Sequence, residues 1–188
     1  MKNILFFVIT ASLVFSMSIA VPSGGGKDCK YVGVKTCKTC HKSKKRGNQY
    51  AVWAGSKHAE AFKTLQTAEA DKIAKKRGSD KPAAETKECL SCHVTGYNVD
   101  GAQFGKKFKK EDGITCEACH GPGSAYKSLH NKKDKKDKAK EACFTVPSVS
   151  NGAAKDLCVK CHNKNSPSYK EFDLNKFWSK IKHPMPKK

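Results

Sequence analysis

The sequence predicts a single, mainly α-helical domain with little regular secondary structure, and three observations lead to this prediction. The chain has 188 residues, of which 38% are hydrophobic, and this length and composition suit one domain. Two segments carry apolar side chains at helical spacing, whereas one short segment carries a hairpin signal. Cys-x-x-Cys-His occurs four times, so much of the interior must form around whatever these motifs bind.

The N-terminal segment has the pattern of a secretory signal peptide. Lys2 supplies a positive charge, residues 4–15 are apolar or small, and Ser18-Ile19-Ala20 is a small-residue cleavage site. The apolar run is shorter than the ~20 residues of a membrane span, which favours a signal peptide over an anchor. We therefore expect residues 1–20 to be removed and residues 21–188 to form one domain in the periplasm, with an extracellular location as the alternative.

Eight of the ten cysteines lie in four Cys-x-x-Cys-His motifs. These are motif 1 (Cys37, Cys40, His41), motif 2 (Cys89, Cys92, His93), motif 3 (Cys116, Cys119, His120) and motif 4 (Cys158, Cys161, His162). Two thiols at this spacing can add to the vinyl groups of a haem, and the histidine that follows ligates the iron. Zinc is the alternative, but zinc sites have no reason to require the adjoining histidine every time. The motifs therefore predict four covalently attached c-type haems.

Four haems would dominate the interior of so short a protein. Removal of a ~20-residue signal leaves about 168 residues, or roughly forty for each haem. We expect the cofactors to contribute directly to folding and to lie close enough together to exchange electrons.

The histidine count limits the sixth iron ligands. Seven histidines less the four in the motifs leave His58, His130 and His183. Three side chains cannot supply a sixth ligand to each of four irons. One haem therefore takes a different ligand, receives one from a second chain, or keeps an open position. Met185 and the lysines are the other candidates within the chain.

Each spare histidine also has a simpler interpretation. His58 lies in a predicted helix over residues 47–77, in which Trp53, Phe62 and Leu65 roughly share its face, and it is either a ligand or a satisfied core residue. His130 follows a glycine- and proline-rich turn and is either a ligand or a solvated loop residue. His183 follows a helical stripe that ends before Pro184, and it is either a ligand or an exposed tail residue. The stripe consists of Leu174, Phe177, Trp178 and Ile181.

Three further features have two interpretations or a weaker signal. Asp100-Gly101 lies between short aromatic and β-branched runs, which predicts a small hairpin. Residues 131–140 form a charge run that we expect to be a solvated loop, with a docking patch for an acidic redox partner as the alternative. The net charge is +20, but no nucleic-acid-binding motif accompanies it.

Cys29 and Cys143 lie outside the motifs and are either a disulfide or two free thiols.

The motifs and the segments between them resemble those of the tetrahaem cytochrome c-554 family of ammonia-oxidising bacteria. The resemblance rests on YVGVKTCKTCH, SKHAEAF, CLSCHVTGY, GITCEACHGPG and CVKCH in this order, on His130 ten residues after His120, and on a late helix that ends in a histidine. It covers nearly the whole predicted mature chain. It implies three haems with two histidine ligands each and a five-coordinate iron at His93. It also implies that His130 completes the haem of His41, His58 that of His120, and His183 that of His162.

Three functions fit this sequence. The first is electron transfer between redox partners, for which the resemblance implies hydroxylamine oxidoreductase as donor and a membrane-associated quinone-linked cytochrome as acceptor. The second is reduction of a small molecule such as nitric oxide at an open iron, since the sequence shows no carboxylate pair or catalytic triad. The third is a conductive filament, in which a neighbouring chain supplies the missing histidine; a strongly basic surface disfavours it.

Overall fold

The computed structural model describes residues 29–185, and its architecture is mainly helical, which confirms the predicted fold class. These residues contain nine short α-helices and five turns of 3-10 helix joined by irregular segments. The α-helices are α1 (Val34–His41), α2 (Gln49–Ala54), α3 (Ala61–Thr64), α4 (Ala68–Lys76), α5 (Lys87–His93), α6 (Cys116–His120), α7 (Lys136–Glu141), α8 (Ala153–Cys158) and α9 (Leu174–Ile181). The 3-10 turns are Lys44–Arg46, Ala83–Glu85, Gly101–Gln103, Lys110–Asp112 and Lys133–Lys135. The predicted signal peptide lies outside the described residues.

The first three motifs each end a helix at the motif histidine. Helices α1 and α5 end at His41 and His93, and α6 consists of motif 3 alone. Helix α8 instead ends at Cys158, so motif 4 continues as turns. A helical turn brings positions i, i+3 and i+4 to one face, and these are the positions of the two cysteines and the histidine.

The predicted single helix over residues 47–77 is wrong, because the chain forms three short helices there. Gly55 follows α2, and the Thr67 side chain begins α4 by accepting a hydrogen bond from the backbone N–H of Ala70 at 3.2 Å. The segment between α2 and α3 bonds to a distant part of the chain instead, since the N–H of Ile114 donates to the carbonyl of His58 at 3.0 Å.

The predicted hairpin around Asp100-Gly101 is also wrong, and residues 29–185 contain no β-strand. The Asp100 carboxylate accepts from the N–H of Ala102 at 2.8 Å and starts a 3-10 turn. The chain after this turn pairs with the N-terminal segment, because Tyr31 forms an isolated parallel bridge with Phe104. The aspartate cap thus favours a helical turn over a return strand.

Protein side chains alone form only a small apolar core. Leu65, Ala74 and Ala83 make one buried cluster, against which Cys89 and Leu90 of motif 2 pack. This cluster fixes the position of α4 beside motif 2.

The charge run at residues 131–140 is helical rather than a loop. Lys133–Lys135 and α7 occupy most of it, and Ala139 is fully buried. The Ala139 methyl group is therefore buried within a segment whose other side chains, apart from Asn131, are all charged.

The predicted C-terminal helix is confirmed as α9, which ends before Pro184. Its N-cap is Asp173, whose carboxylate accepts from the N–H of Lys176 at 3.0 Å. Within residues 29–185, the helices are too short and too polar for any of them to cross a lipid bilayer.

Of the two alternatives for the cysteines outside the motifs, the structure has the disulfide. Cys29 and Cys143 are bonded across 114 positions of sequence, and Cys29 is buried. The bond ties the start of the described chain to the segment that follows α7.

Replacing both cysteines, Cys29→Ser with Cys143→Ser, should lower the free energy of unfolding. A cross-link that closes a loop of about a hundred residues contributes up to ~4.7 kcal/mol in the chain-entropy model. Guanidinium unfolding of the haem-loaded protein, followed by far-UV circular dichroism, measures the loss. An unchanged denaturation midpoint at equal haem content would show that the disulfide does not restrict the conformations of the unfolded chain.

Candidate haem-binding site

The ring nitrogens of four histidines are oriented by hydrogen bonds. Nδ1 of His93, His120 and His130 lies 2.6, 2.9 and 3.1 Å from the carbonyl oxygens of Ala61, Thr145 and Tyr126. Nδ1 of His41 lies 3.0 Å from the amide oxygen of Gln49, whose own nitrogen donates to carbonyls. Since these oxygens only accept, Nδ1 carries the proton in each ring. Nε2 therefore keeps its lone pair, which is the state that a metal ligand needs.

Imidazole rings face one another in three pairs. The ring centroids are 5.8 Å apart for His41 and His130, 6.1 Å for His58 and His162, and 5.8 Å for His120 and His183. Two imidazoles bound to opposite sides of one metal, each about 2 Å from it, have centroids about 6 Å apart. The spacing of these rings therefore fits an iron with two axial histidines.

His93 has no such counterpart. Within residues 29–185, the other six histidines all take part in these pairs, and no aromatic ring contact includes His93. Met185, considered as a replacement ligand, is 76% exposed. The arrangement fits three haems with two histidine ligands and one with a single histidine ligand.

The pairing that the resemblance implied is wrong for two of the three spare histidines. His130 lies opposite His41, as implied, but His58 lies opposite His162 and His183 opposite His120. The path of the C-terminal segment explains why the partners of His58 and His183 are exchanged. Phe172 stacks on His162 at 4.9 Å, so α9 starts at motif 4 and carries His183 onward to motif 3.

Gln49 holds the tail in this position. Its side chain is buried and contacts Nδ1 of His41 through the amide oxygen, while the amide nitrogen donates to the carbonyl of Pro184 at 2.9 Å. One amide therefore connects the ligand of motif 1 to the residue after His183.

Burial favours the neutral form of several of these imidazoles. It lowers the pKa of His58, His120, His162 and His183. A histidine must be unprotonated on the bonding nitrogen to ligate a metal, so this shift favours the ligating form.

The motifs lie in an order that differs from their order in the sequence. Helix α1 packs against α6, so motif 1 lies beside motif 3. Helix α9 begins just after Phe172, which stacks on His162, and leads to His183 opposite His120, so motif 4 lies next to motif 3. The His58 ring lies opposite His162, and Ala61, three residues later, accepts a hydrogen bond from His93, so motif 2 follows motif 4. The spatial order is therefore motif 1, motif 3, motif 4, motif 2, with His93 at one end.

Glu117, the residue after the first cysteine of motif 3, is a functional side chain that the sequence reasoning missed. It is 1% exposed, and its carboxylate accepts from the N–H groups of Val32, Gly33 and Gly123 at 2.8, 2.8 and 2.7 Å. Burial raises its pKa, while the three backbone donors act in the opposite direction. Variable positions within the motif carry no sequence signal for this role.

The helical fold and the four motifs define the class of protein, a multihaem c-type cytochrome. The family described as "Cytochrome c554 and c-prime" matches residues 36–121, which include motifs 1, 2 and 3. The chain is 31% identical over 131 residues to cytochrome c-554 of Nitrosomonas europaea, and the match covers 66% of this chain and 53% of that protein. The chain thus spans about half the length of this curated relative.

The fold gives a further match. The structure of reduced cytochrome c554 from Nitrosomonas europaea superposes with a TM-score of 0.52 at 24% identity, over 81% of this chain and 78% of that one. The family model and the curated relative support membership of the tetrahaem cytochrome c-554 family, as the motifs predicted. The solved structure supports the shared fold. The predicted cofactors, four covalently attached c-type haems, are those of this family.

Glu117→Gln should destabilise the protein by about 1–3 kcal/mol, because an amide nitrogen would face at least one of three buried N–H donors. Guanidinium unfolding of the holoprotein measures the change. Glu171→Gln is the matched control, since Glu171 is exposed. Equal midpoints for the two variants would contradict the role of the buried carboxylate.

Proposed function

We propose that this protein is an exported, periplasmic electron-transfer cytochrome with three bis-histidine haems and one five-coordinate haem. The observation that carries the proposal is the set of three facing imidazole pairs together with the single ring of His93. Haem iron supplies reversible one-electron chemistry when bound. The leader-like N-terminus and the Cys29–Cys143 disulfide support an oxidising compartment.

The role of each side chain follows from its position. The eight motif cysteines hold the haems covalently, and His41, His93, His120 and His162 are the proximal ligands. His130, His58 and His183 complete the irons of motifs 1, 4 and 3 respectively. The spatial order of the motifs supports a short chain of centres that ends at motif 1 and at motif 2.

A basic surface at the motif 1 end suits an acidic partner. Residues 131–141 directly follow His130, whose ring is paired with that of His41 in motif 1, and precede Phe144, whose ring lies 5.5 Å from that of His130. Lys133, Lys136 and Lys138 are exposed in this segment. We assign the donor, hydroxylamine oxidoreductase by resemblance, to this end, and a membrane-associated quinone-linked cytochrome to the other.

The unpaired ring of His93 favours a second candidate function, reduction of nitric oxide or a similar small molecule at the iron of motif 2. The position of motif 2 at one end of the spatial order supports delivery of electrons to that site from three other centres. In the third candidate, a conductive filament, a neighbouring chain would supply a histidine opposite His93.

The electron paramagnetic resonance spectrum of the oxidised monomer tests the ligand set. We expect three low-spin ferric signals and one high-spin signal that nitric oxide abolishes, because six histidines form pairs and His93 does not. Four low-spin signals without a response to nitric oxide would overturn the open site.

Substitution of a distal ligand extends this test. His58→Ala should convert one low-spin haem to high-spin and leave two low-spin signals, since His162 would lose the ring that faces it. Lys57→Ala is the control, because Lys57 is an exposed neighbour whose side chain only pairs with Glu60. An unchanged spectrum for His58→Ala would remove His58 from the ligand set.

Ionic strength tests the docking surface. The rate at which hydroxylamine oxidoreductase reduces the cytochrome should fall as salt rises, and K133Q/K136Q/K138Q should lower it by about tenfold at low salt. The control is K63Q/K75Q/K76Q, which removes the same charge from α3 and α4 near motif 2. A larger effect of the control triple would place the donor at the motif 2 end.

A further inference from the structure

The segment Cys143–Thr145 packs against His120 of motif 3 and the residues beside it. The carbonyl of Thr145 accepts from Nδ1 of His120 at 2.9 Å, and its N–H donates to the carbonyl of His120 at 3.0 Å. The Thr145 hydroxyl donates to the carbonyl of Cys119 at 2.7 Å. Three hydrogen bonds from one residue therefore fix both the ring and the backbone of the motif.

Phe144 adds a packed aromatic contact on the same side. Its ring lies 5.8 Å from that of His120, 4.7 Å from Tyr126 and 5.5 Å from His130. The Tyr126 hydroxyl donates to the carbonyl of Gly121 at 3.0 Å. The segment is thus locked against two neighbouring ligands.

His120 differs from the other oriented histidines in where its acceptor comes from. His41 uses the side chain of Gln49 in α2, His93 uses the first residue of α3, and His130 uses a carbonyl four residues earlier. The acceptor for His120 lies 25 residues away in an irregular segment, residues 144–148. No helix holds that carbonyl in place.

The disulfide supplies the missing restraint. Cys143 has a φ of 70°, in the left-handed region that a cysteine seldom adopts, and its carbonyl contacts the backbone of Gly121. Its partner Cys29 precedes Lys30, which exchanges two hydrogen bonds with Ser124 at 2.7 and 3.0 Å. Glu117 of motif 3 holds Val32 and Gly33 nearby. A continuous series of contacts therefore begins and ends at motif 3. It runs from Glu117 to the N-terminal segment, through the Cys29–Cys143 disulfide, and then through Thr145 to His120.

We propose that Thr145 is the positioning residue of His120, and that the Cys29–Cys143 disulfide, through Thr145, sets the reduction potential of the iron that His120 binds. The inference rests on the proposed ligand role of His120. A backbone carbonyl that accepts a hydrogen bond from Nδ1–H raises the basicity of the imidazole. A more basic ligand stabilises ferric over ferrous iron. Weakening the hydrogen bond between His120 and the Thr145 carbonyl therefore raises the reduction potential of that haem alone.

Redox titration followed by electron paramagnetic resonance tests this on the haem-loaded protein. His183→Ala first assigns the signals, because the low-spin signal that it removes belongs to His120. In separate proteins, Thr145→Val and the double variant Cys29→Ser with Cys143→Ser should each shift that same signal to higher potential. The other centres act as internal controls, and Thr145→Ser, which keeps the hydroxyl, should titrate like the wild type.

The contrary outcomes are distinct. The positioning role is overturned if the reduction potentials of all four haems shift equally, or if the variants lose stability while every potential stays unchanged. Either result leaves the ligand set intact. A wild-type spectrum without three low-spin signals, or a His183→Ala spectrum that retains them all, overturns the ligand set and this inference with it. A shift confined to the assigned signal supports the proposal.

Discussion

Pairs of imidazole rings whose centroids are about 6 Å apart organise residues 29–185. In each of the three pairs, one ring belongs to a Cys-x-x-Cys-His motif and the other comes from a distant segment. The segments between them need only deliver a ring to the correct place. This explains why helices as short as α3, with four residues, are sufficient, and why residues 29–185 contain no sheet.

Motif 3 is the centre of this arrangement. Its helix packs against α1 of motif 1 on one side, and α9 connects it to motif 4 on the other. Glu117 binds the N-terminal segment from within the motif, and Gly121 contacts Cys143 directly after it. Gly121 has a φ of 79°, and a Cβ there would collide with the Cys143 carbonyl, so this close approach requires glycine. Packing around motif 3 therefore couples the two halves of the chain.

The environment of motif 2 is different in kind. Cys89 and Leu90 pack against the small apolar cluster that includes Ala74 of α4, and the carbonyl of Ala61 in α3 accepts a hydrogen bond from His93. Motif 2 also lies at one end of the spatial order of motifs, and His93 is the one motif histidine without a neighbouring imidazole in the described chain. Under the proposed function, the ligand deficit would be confined to this terminal centre, and the three other centres would each keep two histidines.

The sequence by itself determined the chemistry. Repeated spacing of cysteine and histidine specified the cofactors, and a count of seven histidines for four irons specified the ligand deficit. The helix at Leu174–Ile181 was also predictable, because its apolar stripe is local and continuous. Helical spacing failed over residues 47–77, where Gly55 and the Thr67 cap interrupt it and distant hydrogen bonds replace it.

Only the tertiary structure decided which rings meet. The pairings of His58 with His162 and of His183 with His120 depend on Phe172, Gln49 and the hydrogen bond between Ile114 and His58, and these contacts join positions far apart in sequence. The disulfide and the buried Glu117 are decided in the same way. Local spacing fixes what a residue can bind, whereas its partner depends on the path of the chain, which many distant contacts set together.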